Sequence, residues 1–452
     1  MSTPPLASGP EGALALRPLL DTVLGALSDG ARARGGPLPA GGAEAVAARV
    51  RNAVGDVLPD DGDPDALYDL VRALAEGAAD PADPLCAAHL HCPPLAVATA
   101  ADLAASVLNP SLDSWDQAPA ASALEALVTR ALARETGAAD AVVTTGGTES
   151  NQLALLLARE THGAGVRLVH GAGAHHSLPR AAWMLGLPDP VVVPAPAGTL
   201  DPAALDEALT TLPGPLLVAA TAGTTDAGLI DPLPEIAARC AAHGARLHVD
   251  AAYGGGLLFS ERHRGRLAGL EAADTVTLDL HKLGWQPIAA GLLTVRDARD
   301  LAALGQRADY LNADDDTEAG LPDLLGRSLR TTRRADILKI AVTLRTLGRG
   351  GLGRLVDQVC DHAHEFATLV QDHPRFELHA PPTISTVLFR PVDASDDAVA
   401  AVRRTLLTGG RAVLGRARID GRLWLKATLL NPHTRPDDLA ALLNLVEGHT
   451  PR

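Results

Sequence analysis

The chain has 452 residues, 47% of them hydrophobic, 21% charged and 2% aromatic, with a formal net charge of −15. That length exceeds one common domain and provides a sizeable core, and the composition excludes a disordered chain, a disulfide-stapled mini-protein and a membrane bundle. The acidic balance opposes nucleic acid and anionic membranes, both polyanions that reward basic stripes, so a small-molecule substrate is the expected partner.

The N-terminal MSTPPLASGPEGALALRP places no basic residue ahead of its apolar stretch, unlike a secretory signal, and a cytoplasmic location is expected. Four cysteines (Cys86, Cys92, Cys240, Cys360) are too few for a disulfide framework and have no CxxC pairing, which fits a reducing compartment. Residues 13–28 and 43–55 read as helices joined by the turn-rich ARARGGPLPAGG, and residues 1–95 are expected to form an N-terminal helical arm. From about Asp102 to Thr136 helix formers dominate, interrupted by NPSLDSWDQAP.

Short apolar or β-branched runs then alternate with helical stretches: AVVTT (141–145), VRLVH (166–170), VVVP (191–194), LLVAAT (216–221), RLHVDAA (246–252), DTVTLDL (274–280) and GLLTV (291–295). Asp201-Pro202 and Asp231-Pro232 each read as an N-cap aspartate followed by a first-turn proline. Such alternation predicts an α/β domain over 96–336 with a mainly parallel central sheet, ligands binding at the carboxyl ends of its strands. From 337 to 452 a long helical region precedes strands at FELHA, STVLFR, RAVLGRARI and RLWLKATLL and a helix from about Asp437, which predicts a smaller α+β domain.

Only three of the 39 basic side chains are lysines: Lys282, Lys339 and Lys426. Arginine can supply surface charge but cannot form a Schiff base, so a persisting lysine raises a chemical question. Lys282 ends the apolar strand of LDLHKLGW (278–285), after His281. In HVDAAYGGG (248–256), Asp250 ends another apolar strand and small Ala252 leaves room for a flat ring; a buried aspartate there needs a positive partner, unless it merely caps a turn. TTGGTESN (144–151) puts two glycines after a strand, where main-chain N–H groups can cradle an anion and Thr148 can cap the following helix. It has neither the GK[ST] of a Walker loop nor GxGxxG. Cradle, aspartate, apolar slot and lysine together describe a site for pyridoxal 5′-phosphate, with His175 of GAHHSLP (173–179) suited to stacking on the ring.

The ordered set TTGGTESN, AHHS, ATAGTTD, HVDAAYGG and LDLHK resembles the group II pyridoxal-phosphate-dependent amino acid decarboxylases, from DPLCAAHLHCPP (83–94) to the C-terminus. HLHCPP, SLDSWDQAPAA, ADYLNADDD, SLRTTRRADILK and LWLKATLLNP are most similar to the bacterial diaminobutyrate and lysine decarboxylase-like branch. The resemblance implies a fold-type I homodimer with active sites at the subunit interface and an N-terminal arm packed on, or swapped with, the partner. It implies Lys282 as the Schiff-base lysine, Asp250 as partner of the pyridine nitrogen, and His175 and Ala252 on the two ring faces. Gly147, Thr148, Thr225 and His281 would hold the phosphate, with Asp279 a further cofactor contact. The implied reaction is decarboxylation of a small L-amino acid to the amine and carbon dioxide.

Aromatic decarboxylases of this family carry a loop tyrosine that protonates the α-carbon, and the stretch NADDDTEAGLPDLLG (312–326) holds none. That leaves His175 and a water as donors, and relatives altered at that tyrosine can oxidise substrate to an aldehyde; this, or another carbon–carbon lyase reaction with the same cofactor, is the alternative outcome here. A catalytically silent scaffolding relative is opposed by the intact Lys282, Asp250 and His175. Asp113 and Asp116 of SLDSWDQAP would suit a cationic substrate side chain, as in 2,4-diaminobutyrate, ornithine or lysine, or else they cap a helix or pair with arginine. HLHCPP falls at the substrate entrance by resemblance, which makes His91 and Cys92 substrate candidates, and Lys426 matches a basic position near the active site. His89, His91 and Cys92 lack a second ligand pair, so no metal is expected. Lys339 reads as a snorkelling surface charge.

Overall fold

The computed structural model describes residues 4–305 and 308–450. Its strands in chain order are β1 (Cys86–Ala87), β2 (Asp140–Thr144), β3 (Arg167–Gly171), β4 (Val191–Val193), β5 (Leu216–Thr221) and β6 (Arg246–Ala251). They continue with β7 (Thr275–Asp279), β8 (Gly291–Val295), β9 (Phe376–Leu378), β10 (Thr386–Pro391), β11 (Val413–Ile419) and β12 (Arg422–Thr428).

The larger unit, Pro94–Cys360, is built on a seven-stranded sheet in the order β2-β8-β7-β6-β5-β3-β4. All neighbours are parallel except the two pairs made by β8. Strands β5, β7 and β8 are buried throughout, which is why they read as continuous apolar runs rather than as alternating ones. The helix Gly147–His162 closes two clusters: Leu153 and Leu157 pack with Val142 and Leu293, while Leu155 and Ala158 pack with Leu168 and Leu217. Each fully buried leucine of this kind is worth about 1.5–3 kcal/mol of transfer free energy.

Strand direction places the site. Asp279 of β7 and Thr144 of β2 both pair with Gly291, and Asp250 of β6 pairs with Thr221 of β5. The ends of four strands therefore line one edge of the sheet, where exposed main-chain groups are left for a ligand.

The second unit runs to Pro93 and resumes at Asp361. Its five-stranded sheet has the order β1-β11-β12-β10-β9, antiparallel except that β1 pairs parallel with β11. Phe366, Phe389, Val402, Leu425 and Leu442 form its core, with Ala87 contributed from the N-terminal segment. Its first helix, Gly12–Arg34, ends at Gly35 in the left-handed region (φ 69°), whose N–H reaches Ala31 O.

This division differs from the expected boundaries of 1–95, 96–336 and 337–452. Residues 86–87 supply the edge of the C-terminal sheet rather than only an arm. The helical stretch Ile337–Asp372, interrupted at Gly348, is bound through its first half to the larger unit: Thr343 Oγ1 lies 3.5 Å from Gln286 Oε1, and Arg349 bonds Leu258 O at 3.1 Å and pairs with Glu135. Two local expectations are also corrected. Asp201 caps its helix by accepting from Ala203 N–H at 2.9 Å, but Asp231 does not; its helix starts at Leu233, and its buried carboxylate instead accepts from Leu200 and Thr221 N–H at 2.8 and 2.7 Å. Lys339 is no surface charge: it is fully buried, with Nζ 3.0 Å from Asp102 and 3.2 Å from Asp336.

Candidate active site

The turn after β2 brings Gly146 and Gly147 against the ends of β6 and β7. A Cβ at Gly147 would stand 3.0 Å from Ala252 Cβ and 3.1 Å from Asp279 Oδ2; one at Gly146 would stand 3.0 Å from His281 Cε1. A Cβ at Gly291 would meet Gly146 Cα at 2.5 Å. Only glycine lets these segments approach so closely, and the N–H groups that open the helix Gly147–His162 are left to face an anion. Thr148 is exposed and does not cap that helix, which starts one residue earlier with Gly146 as its N-cap. Thr145 closes the turn instead, donating from its N–H and Oγ1 to Glu149 at 2.6 and 2.7 Å, while Arg330 holds the other Glu149 oxygen at 3.1 Å.

Asp279 ends β7 and is nearly inaccessible. Its Oδ2 lies 3.0 Å from Lys282 Nζ and 3.5 Å from His281 Nε2. Its Oδ1 is buried with no hydrogen-bond partner among the described residues, an acceptor that costs free energy unless a donor reaches it.

Asp250, also buried, is held from two directions: Oδ1 accepts from Ala252 N–H at 3.1 Å and Oδ2 from Asn151 Nδ2 at 2.8 Å. Asn151 is itself buried and fully engaged. Its Nδ2 also donates to Ser177 Oγ at 2.9 Å, and its Oδ1 accepts from Thr277 Oγ1 at 2.8 Å and meets His248 Nε2 at 3.0 Å. His248 Nδ1 faces Thr275 Oγ1 at 2.9 Å. Burial drives the His248 pKa down to about 4, against the opposing pull of Asp250 and the bond at Thr275. Ser177 Oγ continues the chain to His175 Nδ1 at 2.8 Å. The His175 pKa is lowered, first by burial, with Asp250 and Asp279 opposing and His176 and Lys282 reinforcing the shift.

The structure thus brings Gly147, Ala252, Asp279, His281 and Lys282 into one cluster and joins His175 to Asp250 through two intermediates. Thr225 is exposed on the turn after β5. Asp113 is buried and Asp116 exposed, and both are bonded within their own loop: Asp113 Oδ1 accepts from Gln117 at 2.8 Å and Asp116 Oδ1 from Ser114 at 2.5 Å. His91, Cys92 and Lys426 belong to the other unit, where His91 is exposed and Cys92 and Lys426 are buried. There the His89 pKa is lowered by burial and by the charge of Lys426. Among the described residues, no group of three or more histidine, cysteine or acidic side chains could hold a metal, and no helix is long and apolar enough to cross a membrane.

Sequence reasoning missed Asn151, Ser177, His248 and Thr277. A signal was present for two of them: His248 and Thr277 on strongly apolar strands require partners. It also passed over Tyr310, two residues before the stretch searched for a tyrosine. Tyr310 is 83% exposed, whereas the Tyr68 hydroxyl donates to Asp29 at 2.6 Å and Tyr253 is buried.

The conserved-domain model of the pyridoxal-dependent decarboxylases matches residues 50–392. An L-2,4-diaminobutyrate decarboxylase of Rhizobium meliloti (strain 1021) is 43% identical over 406 residues, covering 86% of this chain and 82% of the relative. One of Acinetobacter baumannii is 32% identical, covering 81% and 79%. Among solved structures, the glutamate decarboxylase domain of diaminobutyrate-pyruvate transaminase and L-2,4-diaminobutyrate decarboxylase from Vibrio parahaemolyticus superposes with a TM-score of 0.87. It is 31% identical, and the match spans 98% of this chain and 97% of that one.

Proposed function

From the premise that the chain belongs to the pyridoxal-dependent decarboxylase family, we propose that it decarboxylates a small L-diamino acid, 2,4-diaminobutyrate first among them, to the diamine and carbon dioxide. It is a fold-type I carboxy-lyase, and its cofactor is pyridoxal 5′-phosphate. The residues present fit that group: a cradle that any Cβ would fill, an unpartnered buried Asp279 oxygen, and a lysine amine beside it.

When bound, pyridoxal phosphate supplies an aldehyde that condenses with amines and a pyridine ring that takes up electrons as carbon dioxide leaves. Lys282 would hold it through Nζ, which Asp279 keeps in place at 3.0 Å. Gly147, Thr148, Thr225 and His281 would hold the phosphate, and His175 and Ala252 would cover the two ring faces. Asp250 would hold a proton on the ring nitrogen, its two oxygens oriented by N–H donors from Asn151 and Ala252.

The single observation that carries this reading is the Lys282–Asp279 pair standing at the strand edge beside the glycine cradle and the Asp250 network. Tyr310, the exposed phenol of ADYLNADDD, is the proposed proton donor to the α-carbon, and it favours amine over aldehyde as the product. Asp113 and Asp116 are the proposed partners of the distal ammonium. The enzyme is proposed to act as a cytoplasmic homodimer with its active site at the subunit interface. Leu14, Leu19, Leu24 and Leu27 of the helix Gly12–Arg34 are 45–67% exposed, an apolar surface that a second chain would cover.

Mass spectrometry of products from cofactor-loaded protein given 2,4-diaminobutyrate, ornithine, lysine, glutamate, aspartate and aromatic amino acids tests the reading. A diamine from 2,4-diaminobutyrate is expected; turnover confined to acidic or aromatic substrates overturns it.

A further inference from the structure

Three hydrogen bonds run from Asp250 through Asn151 and Ser177 to His175, and their directions are determined. The Asp250 carboxylate can only accept, so the Asn151 group facing it at 2.8 Å is the NH₂. Its second N–H reaches Ser177 Oγ at 2.9 Å, which makes that oxygen an acceptor toward asparagine. The asparagine carbonyl then takes Thr277 Oγ1–H and His248 Nε2–H, so no flip of the amide satisfies the cluster. The lone hydroxyl proton of Ser177 is left for His175 Nδ1 at 2.8 Å, and the Ser177 backbone N–H points at the same atom from 3.3 Å. Two donors converge on Nδ1.

We infer that Asn151 and Ser177 are positioning residues that transmit the fixed orientation of Asp250 to His175, holding its imidazole neutral with the proton on Nε2. A proton on Nδ1 would oppose the Ser177 N–H. The groups facing His175 do not overturn this: Asp250 and Asp279 favour its cation, while burial, His176 and Lys282 disfavour it. The two ring-contacting residues are thereby set by one chain of bonds, one as an anion and the other as a neutral N–H donor. A neutral imidazole N–H is too weak an acid to protonate carbon, so His175 orients through Nε2 and the acid is another group. The inference rests on the proposed place of His175 at the cofactor.

Nitrogen-15 spectra of histidine-labelled holoenzyme, with His175 assigned by difference against His175→Gln, read the tautomer without reference to turnover. The expected result is a bare Nδ1 and a protonated Nε2 at neutral pH. Ser177→Ala should mix the tautomers, lower kcat about tenfold with KM little changed, and move the acid limb of the pH profile upward, because the neutral ring loses a donor. Ser177→Thr should restore both spectrum and profile. A protonated Nδ1 in the native enzyme overturns the inference even if the variants fail to fold, and so does a Ser177→Ala enzyme whose nitrogen signals and acid limb are unmoved. The expected tautomer in a protein that produces no amine would instead count against the proposed reaction alone.

Discussion

Asn151 Nδ2 lies 2.8 Å from Asp250 Oδ2, so the aspartate at the end of β6 is fixed by the helix that follows β2, two elements far apart in sequence. Both aspartate oxygens are engaged by N–H donors, Asn151 at one and the Ala252 backbone at the other, which fixes the side chain proposed to face the cofactor's ring nitrogen. Asp250→Asn keeps the shape and removes the charge. It is expected to lower kcat by about 100- to 1,000-fold while near-ultraviolet and visible circular dichroism still report bound cofactor. Steady-state kinetics at saturating cofactor checks this, and near-native kcat would contradict it.

Tyr310→Phe removes the exposed phenol without changing the ring. The amine should fall and the aldehyde and ammonia should rise, with dioxygen consumed. An oxygen electrode and product mass spectrometry measure the ratio directly. An unchanged amine yield would return the proton to water.

Acid should destabilise the fold through His248. Its folded pKa is depressed to about 4 from 6.5 by burial, so the neutral form is the folded form. Below pH 6.5 the unfolded chain takes up a proton that the native state refuses, so this contribution is present above that pH and is lost as pH falls toward about 4. The midpoint of denaturant unfolding should decline across that window, and His248→Gln should flatten the decline.

Much of this was legible in the sequence. The seven apolar runs of the α/β region each begin and end within a residue of a strand, and those of β5, β7 and β8 are continuous because both faces of these strands are buried. The glycine turn at Gly146 and Gly147, Asp250 and Lys282 were legible as residues at or just past strand ends, which is where they stand after β2, on β6 and after β7, whereas Asp279 came only with the family resemblance. What was hidden depended on long-range partners. Asp231 looks like a cap until Leu200 and Thr221 supply their N–H groups, and Lys339 looks solvated until Asp102 and Asp336 enclose it. Asn151 and Ser177 are common residue types whose role exists only once helix and strand converge. The boundary at Cys360 rather than 336 goes with long-range bonds made by Thr343 and Arg349, which no composition change marks.

The most direct test is reduction of the cofactor-loaded protein with borohydride, followed by peptide mass spectrometry. The chain has three lysines, Lys282, Lys339 and Lys426, and the reduced pyridoxyl mass is expected on the Lys282 peptide alone. A label on Lys339 or Lys426, or none on any lysine, would contradict the account.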